Sequence, residues 1–142
     1  MVKHLAKIII LIMLIILLAS CSLKRSNPLD PNGNEDIIVP EPVTGITYTT
    51  SSQNQIPCWV KITWTANNEN NTDGYYIYRG MGYYSSYALV GDVTTNEFMH
   101  SSADDPSVQP KIDYFYRISA YKICPEGKLE GRRSEPYWVR IP

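Results

Sequence analysis

The sequence of 142 residues predicts an all-β fold, an antiparallel sandwich of seven short strands preceded by a signal-peptide helix and a flexible linker. Three observations favour this fold. Residues that prefer strands, such as Tyr, Val, Ile and Thr, are abundant, whereas only 19% of the residues are charged. Short segments alternate in polarity with a period of two. Beyond the first 20 residues no segment has the helical period of 3.6.

The predicted strands follow one another after Pro40, separated by clusters of turn residues. They cover residues 43–48, 58–64, 74–79, 87–93, 96–100, 113–121 and 134–141. The second strand alternates Val60, Ile62 and Trp64 with Trp59, Lys61 and Thr63, which is typical of a half-buried strand. The sixth strand, DYFYRISAY, has the strongest β pattern. The segments ANNENNTDG at 66–74 and CPEGKLEG at 124–131 predict a loop and a turn.

Four motifs, in this order, resemble those of a fibronectin type III domain, which is an immunoglobulin-like fold. They are a strand that ends in Trp64, GYYIYR at 74–79, YFYRISA at 114–120 and a Ser-x-Pro at 134–136. The resemblance extends over residues 41–142. It implies a two-sheet Greek-key sandwich in which strands A, B and E face strands C, C′, F and G. It also implies that Trp64 is a core residue of strand B and that Tyr114 pins strand F.

The same resemblance bears on Cys58 and Cys124. In the family topology strands B and F run in the same direction in opposite sheets, so Cys58, at the start of B, and Cys124, just past F, lie at opposite ends. A strand of six or seven residues at about 3.3 Å per residue separates them by roughly 20 Å. A disulfide requires Cα atoms within about 7 Å. We therefore predict two free thiols, with Cys58 facing inward like Val60 and Ile62.

The N-terminal residues predict export and a lipid anchor. A basic start precedes an uncharged apolar run at 8–19, which is shorter than the ~20 residues that a bilayer-spanning helix needs. Residues 1–20 are therefore interpreted as a signal peptide. The run ends in Leu18-Ala19-Ser20-Cys21, which resembles a bacterial lipobox and implies lipidation of Cys21. Two or more acyl chains would anchor the mature protein stably to a membrane. The alternative is an ordinary cleaved signal in which Cys21 is incidental.

Residues 21–40 predict the lipidated N terminus and a flexible tether, because Pro, Asn and Gly are frequent and apolar periodicity is absent. Asp30, Asn32, Asn34 and Asp36 alternate like calcium ligands. The position of Gly33 and the lack of a closing Glu favour a plain linker instead. In some bacteria an Asp directly after the lipidated cysteine retains a lipoprotein in the inner membrane. In this sequence that position is Ser22. We expect a cell-envelope location, at the outer membrane or cell surface rather than the inner membrane.

The sequence offers little catalytic chemistry. His100 is the only histidine after the leader, and neither a Gly-rich phosphate loop nor a G-x-S-x-G elbow is present. The adjacent Asp104 and Asp105 are interpreted as turn residues, although two carboxylates can also meet in space as an acid–base pair. After the leader, 11 basic and 14 acidic residues leave a net charge of −3, which argues against nucleic acid as a partner. We predict no enzymatic activity, no metal site and no cofactor.

The aromatic residues supply the candidate binding site. With Tyr114, Tyr116, Ile118 and Ala120 facing inward, the outward residues of strands C, F and G would form one aromatic and basic face. That face consists of Tyr76, Tyr78, Phe115, Arg117, Tyr121, Trp138 and Arg140. Tyr83 and Tyr84, in a loop where the family pattern does not require them, are further candidates. Such a face suits glycan stacking or a protein hot spot. The alternative is that the face only stabilises the sheet, at ~0.2–1 kcal/mol per cross-strand pair, and that Tyr83 and Tyr84 only pack the loop.

Together these features predict a membrane-anchored envelope lipoprotein. Its fibronectin type III-like domain would be a non-catalytic binding or spacer module for protein or polysaccharide. One alternative is a structural or assembly subunit of an envelope complex, with the aromatic face buried against a partner. Another is an accessory component of a carbohydrate-active system.

Overall fold

The computed structural model describes residues 38–142, and this part of the chain forms two antiparallel β-sheets. A single turn of 3-10 helix covers Glu69–Asn71. The eight strands are β1 (Thr47–Thr50), β2 (Trp59–Thr63), β3 (Gly74–Gly80), β4 (Ala88–Val93), β5 (Glu97–Ser101), β6 (Asp113–Cys124), β7 (Gly127–Glu130) and β8 (Tyr137–Arg140). The predicted all-β sandwich is confirmed.

The strand order matches the arrangement that the family resemblance implies. The first sheet has the order β1-β2-β5, and the second has β4-β3-β6 with both β7 and β8 on the far edge of β6. β8 pairs with the start of β6 and β7 with its end. Between them, the amides of Gly131 and Ser134 donate to the carbonyl oxygens of Ala120 and Ile118 on β6. β7 and β8 therefore act as two parts of one interrupted edge strand.

The strands differ from the prediction most clearly in two places. The turn expected at 124–131 is a β-hairpin, in which β7 adds an eighth strand to the predicted seven. Gly127, at φ +140°, permits the tight reversal because it lacks a Cβ. β1 begins at Thr47 rather than at residue 43, although Val43 is buried in the core. The predicted start of the first strand is therefore wrong.

The core contains the side chains that the alternation assigns to it. Tyr114, Tyr116, Ile118 and Ala120 of β6 are all buried, and they face Val60 and Ile62 of β2. Trp64 is buried edge-to-face against Tyr75, with ring centroids 5.1 Å apart. Each fully buried apolar side chain contributes about 1.5–3 kcal/mol relative to an exposed one. The core position of Trp64 is confirmed.

Tyr114 fastens β6 to the loop that precedes it, as the resemblance implies. Its hydroxyl accepts a hydrogen bond from the Gln109 amide at 2.8 Å and donates to the Ser107 carbonyl oxygen at 3.0 Å. Both cysteines in the described residues are free, and Cys58 is buried, where its thiol donates to the Val108 carbonyl oxygen at 3.5 Å. The prediction of free thiols is confirmed.

The predicted signal peptide at 1–20, the lipidation of Cys21 and the tether up to residue 37 lie outside the described residues. No helix within 38–142 is long and apolar enough to cross a membrane.

Candidate binding surface

The outer face of the five-stranded sheet carries the predicted binding residues, and the structure divides them into two groups. Tyr76, Tyr78 and Tyr121 lie together, with ring centroids of Tyr76 and Tyr121 4.7 Å apart and those of Tyr76 and Tyr78 6.3 Å apart. Phe115, Arg117, Trp138 and Arg140 lie towards the other end of the sheet, around the start of β6 and along β8. The two groups have different surroundings.

In the first group, Tyr78 and Tyr121 point outward but are buried, with only 7% and 3% of their surface accessible. The Arg133 guanidinium lies 3.6 Å from the centroid of the Tyr78 ring, and Lys128 Nζ lies 4.0 Å from that of Tyr121. The prediction that these two rings are exposed is therefore wrong. The cause is the β6–β7 hairpin and the segment after it, which bring long cationic side chains over the rings.

Hydrogen bonds hold this cover in place. The Tyr78 hydroxyl donates to Glu130 Oε1 at 2.9 Å, and the Tyr121 hydroxyl donates to Asp92 Oδ1 at 2.8 Å. Lys128 Nζ donates to the second oxygen of Asp92, also at 2.8 Å. Burial, and then the hydrogen bond to Glu130, raise the pKa of Tyr78, whereas the hydrogen bond from Lys128 is the main cause that lowers the pKa of Asp92. This half of the face stabilises the sheet through a closed polar network.

Around the second group, which the loop residues Tyr83 and Tyr84 join, the rings stay accessible. Tyr83, Tyr84 and Trp138 are 45%, 95% and 49% exposed. Tyr83 packs edge-to-face against Tyr84 and Phe115, with centroids 4.8 and 6.3 Å apart, and Phe115 pairs with Trp138 across β6 and β8. These four rings together with Arg117 form a continuous surface, which we term the aromatic patch.

Local sequence explains why the patch stays open. Gly80, at the end of β3, is the register partner of Phe115, so no side chain of β3 covers that ring. The loop that follows is held by the Tyr87 hydroxyl, which donates to the carbonyl oxygens of Gly82 and Tyr83, both at 3.0 Å. The loop therefore holds Tyr83 and Tyr84 on a fixed turn. The sequence analysis did not predict that Tyr87 holds this loop. The glycines of GMG at 80–82 indicate a tight loop there, and they were the only hint of it in the sequence.

The two predicted arginines differ in their partners. Arg140 Nη1 donates to Asp113 Oδ1 at 3.0 Å. Arg117 stands over the ring of Tyr87, 5.4 Å from its centroid, and its nearest carboxylate, on Glu135, is 4.0 Å away. Arg117 Nε is buried and has no hydrogen-bond partner among the described residues. Arg117 is therefore a cation with a weak counter-ion beside exposed aromatic rings.

A polar cluster around Asp105 connects the two sheets on the inner side of β3 and β6, and Asp105 itself is about a third exposed. Asp105 Oδ2 accepts from His100 Nε2 at 3.0 Å and from Arg79 Nη1 at 3.2 Å, and His100 Nδ1 accepts from the Tyr116 hydroxyl at 3.0 Å. Hydrogen bonds from Ser107 are the main cause that lowers the pKa of Asp105 to about 2. The cluster connects β3, β5 and β6, with Tyr116 fully buried and Asp105 at the surface end. Within residues 38–142 no three His, Cys, Asp or Glu side chains are grouped so as to hold a metal ion.

The aromatic patch lies at the end of the domain opposite to the point where the described chain begins. Ile38 lies beside Ile123, Cys124 and Pro125, at the far end of β6. Phe115 is near the start of β6, so eight residues separate it from Ile123, which at about 3.3 Å per residue is roughly 25 Å along the strand. The chain therefore enters at one end of the sandwich and presents the patch at the other.

Solved structures share this fold. A Fn3-like protein from Clostridium thermocellum is 20% identical, with 74% of this chain and 96% of that chain covered and a TM-score of 0.57. The twitchin kinase region from C. elegans is 18% identical over 74% of this chain and 17% of that chain, with a TM-score of 0.53. A titin segment is 20% identical over 72% of this chain and 32% of that chain, with a TM-score of 0.52. No protein-family model and no curated protein sequence matches the chain. The likeness establishes a fibronectin type III-like fold.

Proposed function

We propose that this chain is a lipid-anchored protein of the bacterial cell envelope whose fibronectin type III-like domain is a non-catalytic binding module for protein or polysaccharide. The contrast between the two halves of the outer sheet face carries the proposal. One half has its rings covered by cations and its hydroxyls bonded to carboxylates. The other half leaves large rings exposed on a fixed loop, and exposed apolar patches on single domains often mark interaction sites.

The anchor rests on the sequence Leu18-Ala19-Ser20-Cys21 and on its position after a short apolar run. With the lipid on Cys21 and the tether joining the domain at residue 38, the membrane would lie on the Ile38 side of the sandwich. The aromatic patch, at the opposite end, would face away from the membrane. An outer-membrane or cell-surface location gives such a patch access to polymers and proteins beyond the bilayer.

Metabolic labelling with radioactive palmitate tests the anchor. The full chain should incorporate label and partition into detergent, and a Cys21→Ser variant should do neither. Mass spectrometry of the mature N terminus provides an independent measurement. An unmodified mature N terminus, whether at Cys21 or elsewhere, would contradict the lipoprotein assignment.

Site-specific photo-crosslinking in native cells tests the binding function. A photoreactive phenylalanine analogue at position 84 should form adducts with protein or glycan, whereas the same analogue at position 59 should not. Trp59 is a matched control, because it is a partly exposed aromatic residue on the outer face of the other sheet. One stoichiometric protein adduct would favour the assembly-subunit alternative. Equal labelling at both positions, or none at either, would refute a binding role for the patch and leave a spacer function.

A further inference from the structure

We infer that the ligand of the aromatic patch is an acidic glycan, with sugar rings stacked on the exposed aromatic side chains and a uronic carboxylate bound by Arg117. This inference rests on the proposed binding function and specifies the chemistry of the ligand. It follows from three properties of the patch, namely its charge, the tilt of its rings and its area.

The charge of the patch is less compensated than that of its surroundings. The other cations on this sheet face hydrogen-bond to carboxylates, with Lys128 2.8 Å from Asp92 and Arg140 3.0 Å from Asp113. Arg117 is 4.0 Å from Glu135. The same carboxylate is approached by Arg132 to 3.6 Å and accepts a hydrogen bond from the Tyr83 hydroxyl at 3.4 Å, so it is shared among three groups. The Arg117 side chain is 31% exposed, so an external anion can approach it. A planar carboxylate matches the fork of a guanidinium group and can accept two hydrogen bonds from it.

The orientation of the rings suits a chain of separate sugar units. The planes of Tyr83 and Tyr84 differ by 71° and those of Tyr83 and Phe115 by 83°. The rings therefore present several tilted faces rather than one flat surface. Each face can stack against the apolar side of one sugar ring, and the glycosidic bonds between sugars allow successive rings to tilt.

The area of the patch favours a small ligand over a folded protein. An aromatic side chain offers about 150–250 Å² of surface. With the exposed fractions of Tyr83, Tyr84 and Trp138, the patch presents roughly 400 Å². A stable protein interface buries about 800 Å² on each partner. A glycan of a few units would fill the patch, whereas a folded protein would need about as much contact again outside it.

Titration of the purified full chain with defined oligosaccharides tests the inference. The probes are short oligomers of galacturonate, of glucuronate-containing polymers and of mannuronate, and the methyl ester of the galacturonate oligomer serves as the neutral control. The readouts are tryptophan fluorescence and calorimetry. At least one acidic oligomer should bind, more weakly at high salt, and its methyl ester should bind about ten- to hundredfold more weakly, as expected for the loss of a charge-assisted hydrogen-bonded pair.

Arg117→Gln should weaken binding of the acidic oligomer by the same factor and leave binding of the ester unchanged. Lys61→Gln, which removes an equal charge from the other sheet, should bind like the wild type. Tyr84→Ala should weaken the binding of both ligands while the melting temperature stays unchanged, since this side chain is 95% exposed. A thermal melt of Arg117→Gln shows whether the variant is still folded. Arg117→Lys keeps the positive charge and serves as the second control, so that loss of the ligand contact is distinguished from loss of the fold.

Equal affinity for acid and ester, or an Arg117→Gln variant that binds like the wild type, would overturn the inference. If no oligosaccharide binds but the crosslinker at position 84 captures a protein that position 59 does not, the acidic-glycan inference fails and the binding function stands. If both experiments are negative, both fail.

Discussion

The replacement Asp105→Ala should destabilise the domain far more than the same replacement at its neighbour Asp104. The Asp105 carboxylate accepts four hydrogen bonds, from His100 Nε2, Arg79 Nη1, the Ser107 amide and the Ser107 hydroxyl. It thereby connects β3, β5 and the loop before β6. The side chain of Asp104 donates and accepts no hydrogen bond within the described residues, although its backbone amide donates to the Ser101 carbonyl oxygen.

The size of the effect follows from the burial of the partners. Removal of the carboxylate leaves the side chains of His100, 5% exposed, and Arg79, 14% exposed, without their shared acceptor. Breaking a buried ion pair on one side costs about 3–5 kcal/mol. Asp105 itself is about a third exposed, so water can replace part of the lost interaction, and we expect ~2–3 kcal/mol. For a domain of this size that corresponds to a fall in Tm of about 10–20 °C.

Thermal and urea denaturation of the wild type, Asp105→Ala and Asp104→Ala, all at pH 7, measure this difference. Asp104→Ala should stay within about 0.5 kcal/mol of the wild type, as expected for an exposed position. Asp105→Asn should fall between the two, because its amide oxygen still accepts but carries no charge. Equal free energies of unfolding for the two alanine variants would show that the Asp105 network does not hold the strands together.

Three further predictions concern stability. Tyr114→Phe should lower the free energy of unfolding by about 1–3 kcal/mol in urea, because it leaves two backbone groups without their partner. Gly74→Ala should destabilise by about 1–3 kcal/mol, since its Cβ would overlap the Tyr121 hydroxyl and lie 2.8 Å from the backbone carbonyl oxygen of Val93, whereas Gly82→Ala meets no atom closer than 3.9 Å and should be neutral. Burial is the main cause that lowers the pKa of His100, so the unfolded chain takes up a proton near pH 6.5 before the folded one does. The wild type should therefore lose stability as the pH falls from about 6.5 towards 5, by at most 1.4 kcal/mol per pH unit, and His100→Gln should flatten this slope in pH-dependent urea melts.

Sequence periodicity is sufficient to predict most of the fold, because each strand in a sandwich has one face towards solvent and one face towards the core. The alternation in β6 identified its four core-facing residues, although Ser119 and Tyr121 on the outward side are buried as well. The motif around Trp64 identified the core of β2. The segment 124–131 was misjudged because Pro, Glu and two glycines suggest a turn, and only pairing with β6 turns its second half into a strand. That pairing is a long-range property, and local preferences do not contain it.

The candidate site is harder to predict, because alternation gives the direction in which a side chain points but not which other side chains lie over it. Tyr78 and Trp138 both point outward, yet Arg133 covers the first and the second is half exposed. The two aspartates at 104 and 105 are equivalent in sequence, and only the partners that the fold brings together distinguish them. What the sequence alone left open was therefore the set of contacts between distant side chains.

Sheet stabilisation accounts for one half of the aromatic face but does not account for Tyr84 in the other half. An apolar ring stabilises a fold in proportion to the area that folding removes from water. Folding removes nearly all of the surface of Tyr78 and Tyr121 from water, and their hydroxyls donate hydrogen bonds to carboxylates, so their contribution to stability is large. Tyr84 remains 95% exposed and therefore contributes almost nothing by burial. A ring that contributes little to folding can gain free energy by contact with a molecule outside the domain, and this is the physical basis of our proposal that the patch binds a ligand.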